Sequence, residues 1–325
     1  QAKRLREACE AVGASFVALE SNPIDTVWAD QPERPAAQIA TQPTQFAGRS
    51  AADKIRDVQK ALGAHDAVVL TQPDSVAWLL NLRGFDVPHT PVVSAYAILP
   101  AKGKAELFIA PEKLTEDVKA HLRKIAVTRA PQEIGAALKA LAKRKVLIDP
   151  AATPERIRGM LARARAEIAT GTDPVSLPKA RKNGVEQQGA RNAQARDGVA
   201  VSRFLFWLER EAPRGGLTEL DAAAKLRSFR EATGELKDLS FETIPASGPH
   251  AAIPHYHATE ESNRMLEPGE IFLIDSGAQY IDGTTDITRT VIVGTPTAEM
   301  RDRFTRVLKG MVGLSMIRFP KGTTG

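Results

Sequence analysis

Two apolar stretches late in the chain predict a β-hairpin. Residues 271–274 read Ile-Phe-Leu-Ile and residues 287–293 end in Val-Ile-Val, and such residue types favour core strands. A turn-rich segment joins the two stretches, and each adjoins one acid, Asp275 or Asp286. A carboxylate within an apolar strand is unfavourable unless a partner compensates its charge. Two carboxylates brought face to face by one hairpin therefore suggest a bound cation.

The register of this hairpin depends on its turn. Cross-strand partners have residue numbers that add to a constant, and a two-residue loop makes that constant odd. The numbers 275 and 286 add to an odd value, so Asp275 and Asp286 are expected on one face. A turn at residues 280–281 would place them directly opposite, with Cα atoms about 4.5–5.5 Å apart, where they could bridge two metal ions. A turn at residues 282–283 would separate them too far, so the hypothesis needs the earlier turn or a bulge near Gly283.

The rest of the chain alternates between helical and strand patterns. Apolar residues repeat at helical spacing in residues 51–62, and four short β-branched or apolar runs follow, separated by further helical segments. This alternation predicts the α/β class. Strands are expected at 15–19, 67–70, 92–99, 105–109 and 145–148, and helices at 1–12, 51–62, 112–122, 131–143, 154–168, 185–211, 218–233 and 298–318.

The same pattern divides the chain into three parts. Residues 1–47 are expected to be the tail of a preceding N-terminal domain and an extended, proline-containing connector. Residues 48–175 are expected to form an α/β domain, and a proline-containing segment near 170–183 marks its end. Residues 176–325 then form a second domain that begins with a long helix.

Composition narrows the function classes. The net charge is +5, but the basic residues lie on expected helices among Ala and Glu, and only 5% of residues are aromatic; nucleic-acid binding is therefore not expected. No apolar run approaches the ~20 residues of a membrane span, so no membrane contact is expected. The one cysteine, Cys9, excludes a disulfide within the chain and suggests the reducing cytoplasm. The chain does not begin with Met and stops in a loop, so we expect a fragment.

Histidines supply the second group of candidate residues. His250, His255 and His257 lie within eight residues. In an extended segment His255 and His257 would share a face and could form a His-x-His metal site, although each taken singly fits an ordinary loop histidine. Close to the hairpin acids, one of them is expected to act on a substrate. Residues 81–88 allow two interpretations, a loop facing a cleft or a capped helix end.

Several motifs together resemble one enzyme family. SGPHAAIPHY, LEPGEIFLIDSGAQYIDGTTDITRT and TAEMRDRFTRVLKG are similar to the catalytic half of the aminopeptidase P (Xaa-Pro aminopeptidase) family. FAGRSAADKI, DSVAWLLNLRGFDVPHTPVVSAYAIL and LPKARKN resemble the second domain and linker of its long, three-domain subgroup. The resemblance implies a creatinase-like α/β domain followed by the first half of a pita-bread metallopeptidase domain, the fold of methionine aminopeptidase, prolidase and creatinase.

The resemblance also assigns roles to single residues. Asp275 and Asp286 match the first two of the family's five metal ligands, and His255 matches its substrate-side histidine. His250 stands where many relatives have Asn, so no role is carried over to it. The remaining ligands of the family, one His and two Glu, lie downstream of the hairpin and cannot be placed in this chain. We therefore expect the chain alone to be inactive.

The implied reaction is hydrolysis of an N-terminal Xaa-Pro bond by water activated between two divalent ions. Mn is the expected metal, and Zn or Co are alternatives. The implied substrates are peptides with proline at the second position, and the implied full-length assembly is a homodimer. A prolidase-like dipeptidase is one alternative function. A non-catalytic, peptidase-like binding module is another, which the retention of Asp275, Asp286 and His255 disfavours.

Overall fold

The computed structural model describes residues 2–17, 19 and 21–324. The chain divides into two compact units, residues 1–189 and residues 190–325. Both units combine helices with β-sheet, so the predicted α/β class is confirmed.

The first unit contains most of the secondary structure. Its helices are α1 (Ala2–Ala11), α2 (Pro23–Val27), α3 (Thr44–Ala47), α4 (Ala51–Ala61), α5 (Pro73–Leu80), α6 (Glu116–Leu122), α7 (Ile134–Ala140), α8 (Glu155–Arg163) and α9 (Ser176–Ala180). Its strands are β1 (Ala40–Thr41), β2 (Ala67–Leu70), β3 (Leu82–Arg83), β4 (Tyr96–Pro100), β5 (Ala105–Phe108), β6 (Ala126–Arg129), β7 (Lys145–Ile148) and β8 (Glu167–Thr170).

A six-stranded mixed sheet forms the centre of this unit, with the order β6-β5-β4-β2-β7-β8. Strand β2 pairs parallel with β7 and antiparallel with β4. All four residues of β2 are buried. Val68 and Leu70 belong to a core with α4, α5 and α6, and Ala67 and Val69 to a core with α7 and α8. Helices thus cover both faces of the sheet, which explains why the strand reads as a continuous apolar run.

Three element predictions in this unit are wrong. The helix expected at 154–168 ends at Arg163, and its last two predicted residues begin strand β8 (Glu167–Thr170) beside β7. Residues 92–95 are not in a strand, although Val93 is fully buried. No strand occurs at residues 15–17 or 19, and Ala18 lies outside the described residues. The apolar pattern reports burial, and burial does not require pairing in a sheet ladder.

The second unit has fewer elements. Its helices are α10 (Gly184–Glu211), which belongs to this unit from Ala190 onward, α11 (Glu219–Glu231) and α12 (Ala298–Ser315). Its strands are β9 (Asp238–Leu239), β10 (Ile244–Ser247), β11 (Ile271–Ser276), β12 (Ala278–Gln279) and β13 (Ile287–Ile292). Strands β10, β11 and β13 form an antiparallel sheet in that order, and β12 pairs with β9.

One face of this three-stranded sheet is covered by helices. Phe204 of α10 and Leu226 of α11 pack with Phe272 and Ile274 of β11 in one apolar core. Because side chains alternate along a strand, Asp275 points to the opposite face. None of the residues of α12 is buried. Within the described residues, no helix combines the length and the apolarity that crossing a membrane requires.

Candidate functional site

The hairpin forms as predicted, but its register differs by one pair from the predicted one. Asp275 lies opposite Thr288, and a bridge joins Gln279 with Thr284. The two-residue turn is therefore at residues 281–282, between the two turns considered from the sequence. In this register Asp286 lies opposite Gly277, so the prediction that the two acids are direct partners is wrong. They are diagonal neighbours, which are still within mutual reach of side chains.

The two acids do share a face, as their spacing predicts, and this face is open. Asp275 is partly buried and Asp286 is exposed. The premise that the carboxylates are buried in an apolar interior is therefore wrong, because the covering helices lie on the other side of the sheet. The hydroxyl of Thr288 donates a 2.8 Å hydrogen bond to Oδ1 of Asp275. This contact orients one carboxylate toward the cavity described next.

A cavity of about 430 Å³ lies on this open face. It brings together the three residues singled out from the sequence, Asp275, Asp286 and His255. The remaining lining residues are Phe241, Glu242, Ile244, Tyr256 and His257. Carboxylate and imidazole groups thus meet beside aromatic and aliphatic side chains, a combination common in ligand sites.

The histidine segment differs from the extended geometry considered from the sequence. His255 is exposed and has a left-handed backbone conformation with φ of 56°, so it does not alternate with His257 as in a strand. His257 Nδ1 instead lies 2.9 Å from Oε2 of Glu242. In the described part of the chain, no three His, Cys, Asp or Glu side chains are grouped so that they could hold a metal ion.

A buried carboxylate that sequence reasoning missed anchors the loop carrying His255. Glu219 is 0% exposed and accepts hydrogen bonds from Ser247 N at 2.7 Å and from Tyr256 OH at 2.9 Å. His250 Nδ1 lies 2.9 Å from the same carboxylate, and its ring stacks on Tyr256. Burial and the adjacent Glu219 carboxylate raise the pKa of the Tyr256 phenol.

The sequence held one signal for this anchor. Thr218 caps α11 in a full capping box with Asp221, which places Glu219 in the first helical turn, where backbone N–H groups favour negative charge. Nothing in the local pattern shows that Glu219 turns inward, because its donors lie 28 to 37 residues farther along the chain.

Residues 81–88 begin with the cap of helix α5 and continue into strand β3. Asn81, with φ of 52°, ends α5 and accepts a 2.7 Å hydrogen bond from Lys54 Nζ. Asp86 forms a buried ion pair with Lys113 at 2.6 Å. The polar groups of this segment therefore pair within the first unit.

Comparison with known proteins adds an independent observation. Residues 30–186 match the family model of the creatinase/prolidase N-terminal domain, and residues 188–325 match metallopeptidase family M24. The chain is 38% identical over its whole length to a probable Xaa-Pro aminopeptidase P of Aspergillus niger, of which it covers 55%. It is 37% identical to the corresponding protein of Talaromyces marneffei, of which it covers 51%. The chain thus spans about half the length of these curated relatives.

Solved structures agree with this result. The X-prolyl aminopeptidase of Caenorhabditis elegans, described as a cytosolic enzyme with a di-nuclear active site, superposes with a TM-score of 0.91 at 34% identity; the match covers 99% of this chain and 54% of that one. The Xaa-Pro dipeptidase of Bacillus anthracis has a TM-score of 0.65 at 21% identity over 81% of this chain and 71% of its own. The second likeness shows the shared fold alone.

Proposed function

Since the chain belongs to metallopeptidase family M24 through residues 188–325 and carries the creatinase/prolidase N-terminal domain in residues 30–186, we propose that this protein is a metal-dependent Xaa-Pro aminopeptidase. Its substrates would be peptides with proline at the second position. The observation that carries the proposal is the meeting of Asp275, Asp286 and His255 at one cavity. The similarity to Xaa-Pro aminopeptidases over the whole chain supports the same activity.

The side chains present fit a divalent cation. Asp275 and Asp286 supply carboxylate oxygens on one accessible sheet face, and hard oxygen ligands suit Mn²⁺ and related ions. These two residues would hold the metal, two ions by analogy with the di-nuclear relative. When bound, such ions lower the pKa of a coordinated water and polarise a carbonyl. We propose Mn²⁺ as the ion, with Zn²⁺ or Co²⁺ as alternatives.

The other cavity residues would act on the substrate. Thr288 keeps the Asp275 carboxylate oriented through its hydrogen bond. His255, exposed on a loop anchored by the buried Glu219, could donate a hydrogen bond to the oxygen of the scissile carbonyl as negative charge develops there. Phe241 and Ile244 provide apolar surface beside these groups.

Several finer statements are part of the same proposal. We propose a cytoplasmic location, supported by the single cysteine and by the cytosolic relative, and a homodimer for the full-length protein. We also propose the division into a connector at 1–47, an α/β domain at 48–175 and the catalytic domain from 176 to 325. The junction between the two family matches, at 186–188, supports two successive domains.

The test is metal binding measured by calorimetry with Mn²⁺ on the 325-residue chain. Asp275→Asn and Asp286→Asn should each lower the Mn²⁺ affinity at least about tenfold, since even loss of an outer-sphere partner has an effect of that size. Circular dichroism should be unchanged, because Asp286 is exposed and Asp275 only partly buried. Asp302→Asn on the exposed helix α12 is the matched control and should bind as the parent does. Equal affinity in all four proteins would contradict the proposed metal site.

Activity separates the proposed enzyme from a dipeptidase. Mn²⁺-dependent release of the N-terminal residue from a tripeptide or longer Xaa-Pro peptide supports the aminopeptidase, whereas cleavage confined to Xaa-Pro dipeptides would indicate a prolidase. Since no three His, Cys, Asp or Glu side chains in the described residues are grouped so that they could hold a metal ion, we expect the 325-residue chain by itself to show no activity. Mn²⁺-dependent cleavage by this chain alone would refute that expectation.

A further inference from the structure

A buried ion pair lies beneath the hairpin and outside the cavity. Asp197 of α10 and Arg230 of α11 are both 0% exposed. Arg230 donates from Nε to Oδ1 of Asp197 at 2.7 Å and from Nη2 to Oδ2 at 3.0 Å. This two-point contact fixes the relative orientation of both side chains.

Both members of the pair also form hydrogen bonds with residues of the hairpin. Arg230 donates to Ser276 Oγ at 3.1 Å and to the carbonyl of Gly277 at 3.3 Å. Asp197 accepts from Tyr280 OH at 3.0 Å and from Thr285 Oγ1 at 2.8 Å. All four contacted residues lie between the two candidate metal ligands in sequence. They lie on both sides of the turn, since Ser276 is the last residue of β11 and Thr285 precedes β13.

The energetics of such a pair point to specificity rather than to net stability. Removing two charges from water has a large free-energy cost, and apolar replacements of buried ion pairs are often neutral or stabilising. The best-attested role of buried polar groups is to select one register among several similar ones. This hairpin has such a choice, because two-residue turns at 280–281, 281–282 or 282–283 all keep Asp275 and Asp286 on the same face.

The contacts of Thr285 distinguish between these registers. Thr285 exchanges hydrogen bonds with Ala278: its N–H donates to the carbonyl of Ala278 at 2.9 Å, and its hydroxyl accepts from Ala278 N–H at 3.0 Å. A change to either neighbouring register moves one strand by two residues, about 6.6 Å. Such a shift takes the Thr285 hydroxyl out of hydrogen-bonding range of Asp197. The network is therefore satisfied in the observed register and broken in the other two.

We propose that the Asp197–Arg230 pair sets the register in which the hairpin presents Asp275 and Asp286 to the cavity. Asp197, Arg230 and Thr285 are then positioning residues that act through the hairpin and touch no substrate. The part of this inference that concerns the metal rests on the proposed function. The part that concerns the register does not.

Cross-linking measures the register without any metal. In a Cys9→Ser background, the pair Leu273→Cys and Thr290→Cys occupies partner positions in the observed register, and a disulfide between directly opposed strand positions is sterically feasible. The pair Ile271→Cys and Thr290→Cys becomes opposed only after a two-residue shift. With the Asp197–Arg230 network intact, the first cysteine pair should form a disulfide and the second should not.

Three network variants are then compared, with folding checked by circular dichroism. Asp197→Leu combined with Arg230→Met removes the pair with apolar side chains and is expected to fold. It should lose the 273–290 cross-link or form the 271–290 cross-link as well. Thr285→Val should shift the pattern in the same direction, and Thr285→Ser, which keeps the hydroxyl, should restore the parent pattern. An unchanged cross-linking pattern in the double variant and in Thr285→Val would overturn the proposal.

Mn²⁺ affinity, measured without the reporter cysteines, tests the positioning role. The double variant and Thr285→Val should bind about 10- to 100-fold more weakly, and Thr285→Ser should bind as the parent does. Leu226→Ala is the control, because it removes a fully buried core side chain outside the network and should leave affinity and cross-links unchanged. If the parent binds no Mn²⁺, the proposed metal site of this chain fails, and cross-linking alone decides the register. Altered cross-links with unaltered affinity would refute the positioning role.

Discussion

Gly277 is the position where a single methyl group should disturb the hairpin most. It lies opposite Asp286, and a Cβ atom built on it would come within 3.0 Å of Ser240 Oγ and of the carbonyl oxygen of Thr285. The carbonyl belongs to the backbone of the facing strand segment and cannot rotate away. Gly277→Ala therefore requires the backbone segment preceding β13, or the segment of Ser240, to move.

The size of the effect follows from these contacts. Overpacking a well-packed site costs about 1–3 kcal/mol. Ser240 is bound to Gly277 O through its N–H at 3.1 Å and to Thr285 O through its hydroxyl at 2.8 Å, and losing either bond adds about 1 kcal/mol. The reduced freedom of the unfolded chain with Ala offsets about 0.4–1 kcal/mol. The expected net loss of unfolding free energy is about 1–4 kcal/mol.

Urea unfolding followed by circular dichroism measures this loss, and hydrogen exchange of peptides from 271–293 localises it. Gly198→Ala is the matched control in the same unit, since the residue lies inside α10 and its added Cβ would meet no atom within 4 Å apart from its chain neighbours and the nearby backbone of its own helix. That control should gain about 0.5–1 kcal/mol. The two substitutions thus have opposite predicted signs. A Gly277→Ala protein as stable as the parent, with unchanged exchange in the hairpin, would refute the close-approach argument.

Three further predictions concern polar groups. Tyr256→Phe leaves one oxygen of the buried Glu219 without its phenol donor and should lower the unfolding free energy in urea by about 1–3 kcal/mol; an unchanged midpoint and m-value would contradict it. Burial lowers the pKa of Lys54 to about 8, so the folded protein loses this proton at a lower pH than the unfolded chain does. The unfolding free energy should therefore rise between about pH 8 and 10.5, and Lys54→Met should lack this rise. Hydrogen bonds from Arg158 and a second arginine lower the pKa of Glu155 to about 2. The stabilisation by the ionised Glu155 carboxylate is therefore fully present above the ordinary Glu pKa and is lost as the pH falls toward 2. A Glu155→Gln protein with the same acid-unfolding profile as the parent would refute this prediction.

Much of the fold was predictable because it depends on local pattern. The run Ala67–Leu70 was predicted as a strand and is one, since a short β-branched stretch buried on both faces has few alternatives. The capped helix end after α5 was among the two interpretations of residues 81–88, and Asn81 forms it in the left-handed conformation. Elements whose identity depends on neighbours were harder. Strand β8 is four residues long and exists because β7 offers it a ladder.

The candidate site shows the same division. Side chains alternate along a strand, so the spacing of Asp275 and Asp286 was enough to predict that both acids lie on one face. The structure agrees. Their exposure was misjudged, because no local pattern tells which sheet face the helices cover. The loop conformation of His255 and the anchor at Glu219 depend on contacts between segments far apart in sequence.

The hairpin shows which features the sequence determined and which only the tertiary structure determined. The sequence alone determined that a hairpin forms, that it carries two acids on one face, and that its motifs resemble those of a metallopeptidase family. Three neighbouring turns were compatible with the local sequence, since they differ by one residue and keep the same faces. Only the tertiary structure chose among them, because Asp197 and Arg230 approach from α10 and α11 and satisfy their buried charges in one register.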